Sequence, residues 1–436
     1  MSRFLKHTLP LGAALMAVGV LAGRGAAQQS PTPAPTPTPV TAPTPTPLSL
    51  SLTQFAVFAD EGVTLDGPAT IKKGLIGSNG YVSLGPNTQC AGVAGRTLRF
   101  SSAGGATING PITINDEIAL GIGSKITGDI NGGANIDISP QSQITGRLTA
   151  AQDIRLGMSG HITGDVRAGG SVFQEAFHTL TGNVLAKSGA QINGTVNGNV
   201  TCQALSVPFG GHVNGQAKQG TGDVVPLTYA PVALPTSDTI SVNDHTITGE
   251  SAPDAPVKPG HYGALVLSEG QKLYLTSGDY YFSRLVLPRS SSVHLVNVSD
   301  AKGLHVYVAT DITVGIFVKT FVNGQASADT ESSLAKKVLW EVGGNFEAAP
   351  DASGSGDFFG AVFAPKGSIS IGDFEKFTGS LVSGRRITAG SGFTQIFVPS
   401  GRFALPAPVA PTPPATTTAG PSTPAPAAVT KGAVTP

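Results

Sequence analysis

Apolar and polar residues alternate along much of the chain, and this alternation returns at a fixed interval. Residues 126–165 read ITGDINGGANIDISPQSQITGRLTAAQDIRLGMSGHITGD. The unit apolar-x-Gly-x-apolar recurs every 18 residues and then continues less regularly, at spacings of 16 and 17, with its glycines at Gly110, Gly128, Gly146, Gly164, Gly182, Gly198 and Gly215. A two-residue alternation is typical of short half-buried strands, not of a helix with its 3.6-residue period.

A unit this short cannot bury its own apolar face, so it must stack on copies of itself. A second apolar pair recurs within each unit, as in Ile136 and Ile138 and again in Ile154 and Leu156. The sequence therefore predicts an all-β fold, a β-helix (solenoid) with about 18 residues per coil and three short sides. The glycine column is expected where a Cβ would crowd the coil above.

Polar positions of the repeat should form outward columns on such a solenoid. One column consists of threonines, and the next is expected to alternate in charge and to form weak surface ion pairs between coils. The members of the two columns are Thr127, Thr145, Thr163 and Thr181, then Asp129, Arg147, Asp165 and Asn183. The threonine column is the candidate binding surface.

The C-terminal part, residues 255–404, shows the same alternation. Phe358-Phe-Gly-Ala-Val and Phe377-Thr-Gly-Ser-Leu repeat the glycine-centred unit nineteen residues apart, which predicts further coils. The segment DTESSLAKKVLW, Asp329–Trp340, is the best candidate for one short helix packed on the side of the solenoid. Trp340 is expected to be a core anchor.

Proline-rich segments flank the alternating region. Residues 31–47 and 406–436 carry 8 and 9 of the 33 prolines and few large apolar side chains. Such segments cannot bury a core and are expected to be extended, disordered tethers. The predicted order is a signal peptide (1–27), a Pro/Thr-rich linker (28–48), a β-helix repeat domain (49–225), a connector (226–254), a C-terminal β-rich domain (255–404) and a Pro/Thr/Ala-rich tail (405–436).

The first 27 residues have the layout of a cleavable export signal. Arg3 and Lys6 precede an apolar run from Leu9 to Gly23, and small residues follow it. The run is too short for a membrane span. We expect a secreted or cell-surface protein.

Composition and motifs argue against catalysis. Lysine plus arginine and aspartate plus glutamate each total 27, so no net charge favours nucleic acid. The eight histidines are scattered without metal-ligand spacing, and no nucleophile or phosphate motif is present. We expect no enzyme, no metal and no cofactor.

A polysaccharide-acting β-helix enzyme is an alternative that needs converging carboxylates, for which Asp137 and Asp153 with Arg155 are the candidates. A hexapeptide acyltransferase fits less well, because the period is 18.

Two family resemblances follow from these motifs. The I-T-G-D-I units with I-D-I and I-R-L between them, about residues 106–217, resemble the bactofilins, bacterial polymer-forming β-helix proteins. FAVFADEGVTLDGPATIKKGLIG at 55–77, and VLWEVGG at 338–344 with FFGAVFAPKGSISIG and GSLVSGRRI, resemble the two ends of the ice-binding-like domain of bacterial surface proteins. This split resemblance implies that the two ends meet in space, with the repeats as an expanded middle.

Together these patterns predict a structural or adhesive β-solenoid of the bacterial envelope or extracellular matrix. Its expected partners are an envelope or extracellular polymer, or a second copy. Ice binding by the threonine column is the alternative, although a charged neighbouring column is unfavourable for it.

Cys90 and Cys202 are the only cysteines, in a chain expected to reach an oxidising compartment. A simple coil-after-coil path separates them by several coils. Packing of residues 49–105 along the side of the stack would let them form a disulfide. Both possibilities are open from the sequence, a Cys90–Cys202 bridge or two buried thiols.

Overall fold

A computed structural model describes residues 47–100, 104–236, 242, 244–299, 301, 303–326, 333–373 and 375–400. These residues form a parallel β-solenoid of about 17 turns with about 19 residues per turn, which confirms the predicted fold class. Each turn contributes one short strand to each of three faces, and strands in successive turns pair in parallel. The expected export signal and most of both proline-rich tethers lie outside the described residues.

Face 1 carries the strand that follows the glycine of each repeat. Its strands are Phe55–Ala59, the start of Leu75–Leu84, the start of Val93–Phe100, Ile112–Ile114, Ile130–Gly132, Leu148–Ala150, Val166–Ala168, Val184–Ala186, Val200–Cys202, Ala217–Gln219, Gly260–His261, Gly278–Phe282, Leu304–Val308, Val338–Val342, Ala361–Ala364 and Leu381–Ser383.

Face 2 carries the second apolar pair of each repeat. Its strands are Gly62–Leu65, the ends of Leu75–Leu84 and Val93–Phe100, Ile118–Leu120, Ile136–Ile138, Ile154–Leu156, Val172–Gln174, Gly189–Ile192, Ala204–Ser206, Ile247–Thr248, Ala264–Val266, Arg284–Leu287, Ile312–Val314, Phe346–Ser353, Ile369–Asp373 and Arg386–Ala389.

Face 3 ends at the glycine column. Its strands are Thr70–Ile71, Gln89–Cys90, Thr107–Ile108, Lys125–Thr127, Gln143–Thr145, His161–Thr163, Thr179–Thr181, Thr195–Asn197, His212–Val213, Lys272–Thr276, Ser292–Val296, Lys319–Val322 with its antiparallel neighbour Gln325–Ala326, Asp357–Phe359, Lys376–Gly379 and Thr394–Phe397. Two further strands, Pro47–Leu48 and Thr228–Tyr229, pair outside the stack.

The order of the coils in space differs from their order in the chain. The coil at residues 55–71 pairs on one side with residues 75–90 and on the other with residues 381–397, for example Val57 with Leu381. From this joint the repeats run to one end of the stack, and residues 247–397 build the other half back toward the joint. The two ends of the split resemblance therefore meet, but the repeats extend one end of the rod instead of forming its middle.

The connector returns along the outside of face 1. The Asn115 side chain accepts a hydrogen bond from the Tyr229 amide (2.6 Å) and donates to the Tyr229 carbonyl (2.7 Å). Asn79 holds the backbone of Val232 in the same way, at 2.9 Å in both directions. The two asparagine side chains thus satisfy backbone N–H and C=O groups of the connector, which has few strand partners of its own. These hydrogen bonds fix the connector to the stack.

The glycine column has the predicted steric cause. Gly128, Gly146, Gly164 and Gly182 have φ between 147° and 152°, and a Cβ on each would overlap the carbonyl of the glycine one coil earlier. Gly379 has the same relation to Gly360 in the C-terminal half. Both the backbone conformation and the close approach require glycine.

The core is a stack of inward aliphatic ladders, such as Ile118–Ile136–Ile154, each fully buried.

The predicted helix at Asp329–Trp340 is wrong in its described part: Ser333–Lys337 form a 3-10 turn and Val338–Val342 a strand. Pairing of this strand with Leu304–Val308 outweighs the local helix propensity. Trp340 is a core anchor as expected, and its Nε1 donates to the Phe359 carbonyl (2.9 Å).

Candidate interaction surfaces

The threonine column is an exposed, in-register ladder on face 3. Thr127, Thr145, Thr163 and Thr181 lie opposite one another in successive coils, and all four are exposed. The second outward column of the same face includes Lys125, Gln143 and His161 and is therefore partly charged. A binding role for the ladder stays a prediction.

The neighbouring column mainly binds backbone amides, in place of the expected ion pairs between coils, and Asp165 also pairs with Arg167 of its own coil (3.5 Å). Asp129 accepts a hydrogen bond from the backbone amide of Arg147 (2.8 Å), and Asp165 accepts from the amide of Asn183 (3.0 Å). The column continues upward, because Asn183 accepts from the Asn199 amide (3.0 Å). These side chains satisfy amides at a corner of the coil, and the hydrogen bond from Asn183 is the main reason why the pKa of Asp165 is lowered.

At a second corner of the coil, Asp153 binds a backbone amide. Asp153 is one of the two carboxylates that the enzyme hypothesis requires. Asp153 accepts from the Ser171 amide (2.7 Å), and Asn135 accepts from the Asp153 amide (3.1 Å). Asp137 and Arg155 lie side by side on the outside of face 2. The three residues are thus brought to one side of the rod, but Asp153 binds backbone. No group of three potential metal ligands occurs among the residues that the structure describes.

Both cysteines are free thiols in the structure, the second of the two possibilities left open above. Cys90 lies on face 3 near the middle of the stack, and Cys202 lies on face 1 six rungs further on, about 29 Å at 4.8 Å per rung. A disulfide needs Cα atoms within about 7 Å. Residues 55–100 form coils of the stack instead of packing along its side. Burial raises the pKa of the Cys90 thiol to about 12.

One histidine is buried inside the repeat region. The Gln174 amide nitrogen lies 3.2 Å from His178 Nδ1 and donates to the carbonyls of His178 and Thr195. Desolvation, aided by the charge of His161, lowers the pKa of His178 to about 4. The imidazole is therefore neutral at pH 7 and serves as a core polar group.

A groove separates the connector from face 1 of the repeats. Its volume is about 310 Å³, and it is lined by Asp129, Asn131, Arg147, Thr149, Arg167, Asp223, Val224, Val225 and Leu227. Asn131 and Thr149 form a largely buried polar floor, with 9% and 7% of their surfaces exposed. The charged residues of the lining balance, two arginines against two aspartates.

The end of the stack at residues 200–219, here called the tip, is open. Leu205 pairs with inward-facing Ala190 yet is 38% exposed, and Ala217, which pairs with Val200, is exposed as well. The strands Ala204–Ser206, His212–Val213 and Ala217–Gln219 each have a strand partner on one side only within the described part of the chain. The repeat pattern did not reveal this surface, because its residues follow the same alternation as those of interior coils.

One family model matches part of the chain. It is described as Bactofilin: Polymer-forming cytoskeletal, and it covers residues 136–225, which include the tip. No curated protein matches the chain. A solved structure of an ice-binding protein from an Antarctic bacterium, Flavobacteriaceae, is similar at 14% identity, covering 79% of this chain and 97% of that chain with a TM-score of 0.24. So low a TM-score carries no conclusion about function. Within the described residues, no helix is both long and apolar enough to cross a membrane.

Proposed function

We propose that the protein is an exported, non-enzymatic structural β-solenoid that self-associates and binds an envelope or extracellular matrix polymer. The observation that carries this proposal is the open tip. Backbone N–H and C=O groups on an unpaired strand edge form a template for further strands, and natural folds usually cover or charge such edges. Here the described edge strands carry a single charged residue, Lys218, and they surround exposed apolar side chains such as Leu205.

The partial family match supports self-association. Residues 136–225 match a family described as polymer-forming, and they contain part of the regular repeats and the tip. Stacking of one solenoid end on another would continue the same ladders across the joint. The signal-like N-terminus supports a place outside the cell and the proline-rich segments support a tethered rod, so we propose an extracellular scaffold and not an intracellular filament.

The hydrogen bonds of the corner carboxylates support a non-catalytic role. The corner carboxylates Asp129, Asp153 and Asp165 each accept backbone amides of the next coil. A general acid or nucleophile must instead be within reach of substrate. These aspartates keep the register of the rod.

The groove beside the connector is the proposed contact for a polymer. A hydroxyl-rich, neutral saccharide suits its balanced charge, because the arginine and amide groups donate to hydroxyls and the aspartates accept from them. The exposed Val225 and Leu227 offer apolar contact for the C–H faces of a sugar. The volume of about 310 Å³ is at the small end of ligand sites, which suits one or two sugar units.

Ice binding is a second candidate, favoured only by the regular exposed threonine ladder on face 3. Lys125 in the adjoining column is unfavourable for it, since a charged group orders water around itself.

Purified full-length chain tests these functions in parallel. We expect concentration-dependent self-association in sedimentation velocity and retention on insoluble envelope polysaccharide, with no release of reducing sugar and no inhibition of ice recrystallisation. Arg147→Ala should weaken polysaccharide retention, whereas Arg155→Ala, an exposed arginine on face 2, should not. Monomer at every concentration would refute self-association. Reducing-sugar release would replace the scaffold proposal with an enzyme.

A further inference from the structure

A tyrosine ring lies flat across a glycine on face 2, beside the joint of the two halves. Tyr81 is in register with Gly62 on the adjacent strand. A Cβ built on Gly62 would fall nearest to Cε1 of the tyrosine and only slightly farther from Cζ and Cδ1, at 2.5 and 2.8 Å. Such similar distances to three consecutive ring atoms describe an approach to the ring face, since an approach to the ring edge would leave the two neighbours of Cε1 clearly farther away. One face of the ring therefore covers the glycine, and the other face is turned away from the sheet.

The ring accounts for the glycine at this position. Gly62 does not have a left-handed φ, so its backbone conformation does not require glycine. Glycine inside a strand weakens the strand, and it often marks a place that another group approaches closely. A larger residue would lift the ring off the strand. Gly62 and Tyr81 together thus hold an aromatic ring flat against the sheet.

The same packing of a ring on a glycine occurs on face 1, where it is covered. The Phe55 ring lies against the Cβ position of Gly77, but Phe55 is 0% exposed and packs in an apolar cluster with Leu52 and Val232. Tyr81 is partly exposed. The covered ring is part of the packing of the rod, whereas the partly exposed ring offers one face to a ligand.

Hydrogen-bonding groups from both halves of the chain surround the ring. The Thr64 hydroxyl donates a long hydrogen bond to the Tyr81 hydroxyl (3.5 Å), and Thr388 lies in register with Thr64 across the joint. The Nε of Arg386 pairs with a carboxylate oxygen of Glu61 (3.3 Å). These two side chains are 60% and 49% exposed, so the guanidinium and the carboxylate keep further donor and acceptor positions for a ligand.

An aromatic face bordered by such groups suits a sugar ring. A pyranose with equatorial hydroxyls has a flat C–H face, which packs on the electron-rich face of an aromatic ring, and its rim of hydroxyls both donates and accepts hydrogen bonds. The Glu61–Arg386 pair carries no net charge, which suits a neutral sugar better than one that bears phosphate or carboxylate. The site lies on a flat face of the rod, so it can accept a unit from the interior of a polymer.

We propose that Tyr81, seated on Gly62, is a stacking platform for one neutral pyranose unit, with Glu61, Thr64 and Arg386 binding its hydroxyls. This inference rests on the proposed binding of a neutral polymer and adds a second contact, on face 2, to the groove on face 1. The platform exists only where the two halves of the chain meet, because Arg386 reaches the ring only through the joint.

Isothermal titration calorimetry with cellohexaose tests the platform, using the full-length chain with Arg147→Ala as the parent so that the groove contributes less. Tyr81→Leu should weaken binding at least about fivefold, because the ring face is lost. Gly62→Ala should also weaken it, because the new Cβ displaces the ring although the tyrosine remains. Tyr81→Phe keeps the ring face and should keep most of the affinity.

Tyr281→Leu is the matched control. Tyr281 is a partly exposed tyrosine of face 1 whose ring is stacked between His261 (4.3 Å between ring centroids) and Tyr307 (4.6 Å), so neither ring face is free. This variant should bind cellohexaose as the parent does.

The outcomes separate the platform from the proposed function. Binding that Tyr81→Leu leaves unchanged, or no cellohexaose binding by a chain that insoluble envelope polysaccharide still retains, would overturn the platform alone. Loss of both cellohexaose binding and polysaccharide retention in the chain without substitutions would overturn both proposals. If Tyr81→Leu unfolds at a lower temperature than the parent, Gly62→Ala and Tyr81→Phe decide, and equal affinity in these two variants would overturn the platform.

Discussion

Replacing Gly146 by valine should destabilise the repeat half more than any comparable glycine substitution on the surface. A Cβ at this position would overlap the carbonyl carbon and oxygen of Gly128, which belong to the backbone of the preceding coil and cannot rotate away. The φ of +151° is also a region that β-branched residues avoid. Backbone strain costs about 1–3 kcal/mol and crowding a packed site costs about 1–3 kcal/mol, so the free energy of unfolding should fall by about 2–6 kcal/mol.

Gly123→Val is the matched control. Gly123 also has positive φ (+73°), but a Cβ there meets nothing within 4 Å, so this variant carries the backbone strain without the overlap. Urea unfolding followed by circular dichroism gives the two losses, and hydrogen exchange in peptides covering residues 126–165 locates the damage. Equal losses in the two variants, or no faster exchange near residue 146, would refute the close-approach explanation of the glycine column.

Three further outcomes can be checked. Replacing Thr145 and Thr163 by tyrosine should leave polymer retention unchanged; a parent chain that shapes ice and a variant that does not would establish ice binding by the ladder instead. Non-reducing peptide mapping should find Cys90 and Cys202 as free thiols that alkylating reagents reach only after unfolding, whereas a crosslinked peptide would contradict the coil order. Because the folded pKa of His178 lies near 4, below the usual 6.5, the native state binds fewer protons than the unfolded chain, and stability should fall by up to about 3 kcal/mol between pH 6.5 and 4. His178→Gln should reduce that slope in urea unfolding at stepped pH, and an identical slope would contradict the assignment.

The local features of the fold were readable from the sequence because each depends on residues within one repeat or on the period between repeats. The 18-residue interval fixes the coil length, and the glycine column follows from the spacing of Gly128 and Gly146. The threonine ladder follows from the same period. Such signals need no knowledge of which coil lies next to which.

Features that depend on distant contacts were beyond the sequence pattern. Nothing local shows that Val57 stacks on Leu381, since any two strands with the same alternation could pair. The segment Ser333–Lys337 looks helical alone, but the strand that follows it is held by Leu304–Val308. The Asp129 column was expected to form ion pairs between coils, yet its carboxylates accept corner amides of the next coil, and Asp165 pairs with Arg167 of its own coil (3.5 Å).

Only one of the three candidate surfaces could be predicted from the sequence. The threonine column follows from the repeat period, whereas the tip and the groove depend on how distant parts of the chain are arranged. Leu205 has the pattern of a core residue and is exposed because no coil among the described residues follows it. The groove exists only because the connector returns over Asn131 and Thr149.

Two halves that are distant in sequence form one continuous rod, and the place of the open tip in the fold depends on their joint. Thr64 and Thr388 lie in register on adjacent strands of face 2, whereas Thr313 lies four rungs from Thr64, about 19 Å away at 4.8 Å per rung. We expect the double variant Thr64→Cys/Thr388→Cys to form an intramolecular disulfide under mild oxidation and Thr64→Cys/Thr313→Cys to form none, as read by non-reducing peptide mapping. Failure of the first pair to crosslink in folded protein, or equal crosslinking of both pairs, would contradict the continuous solenoid.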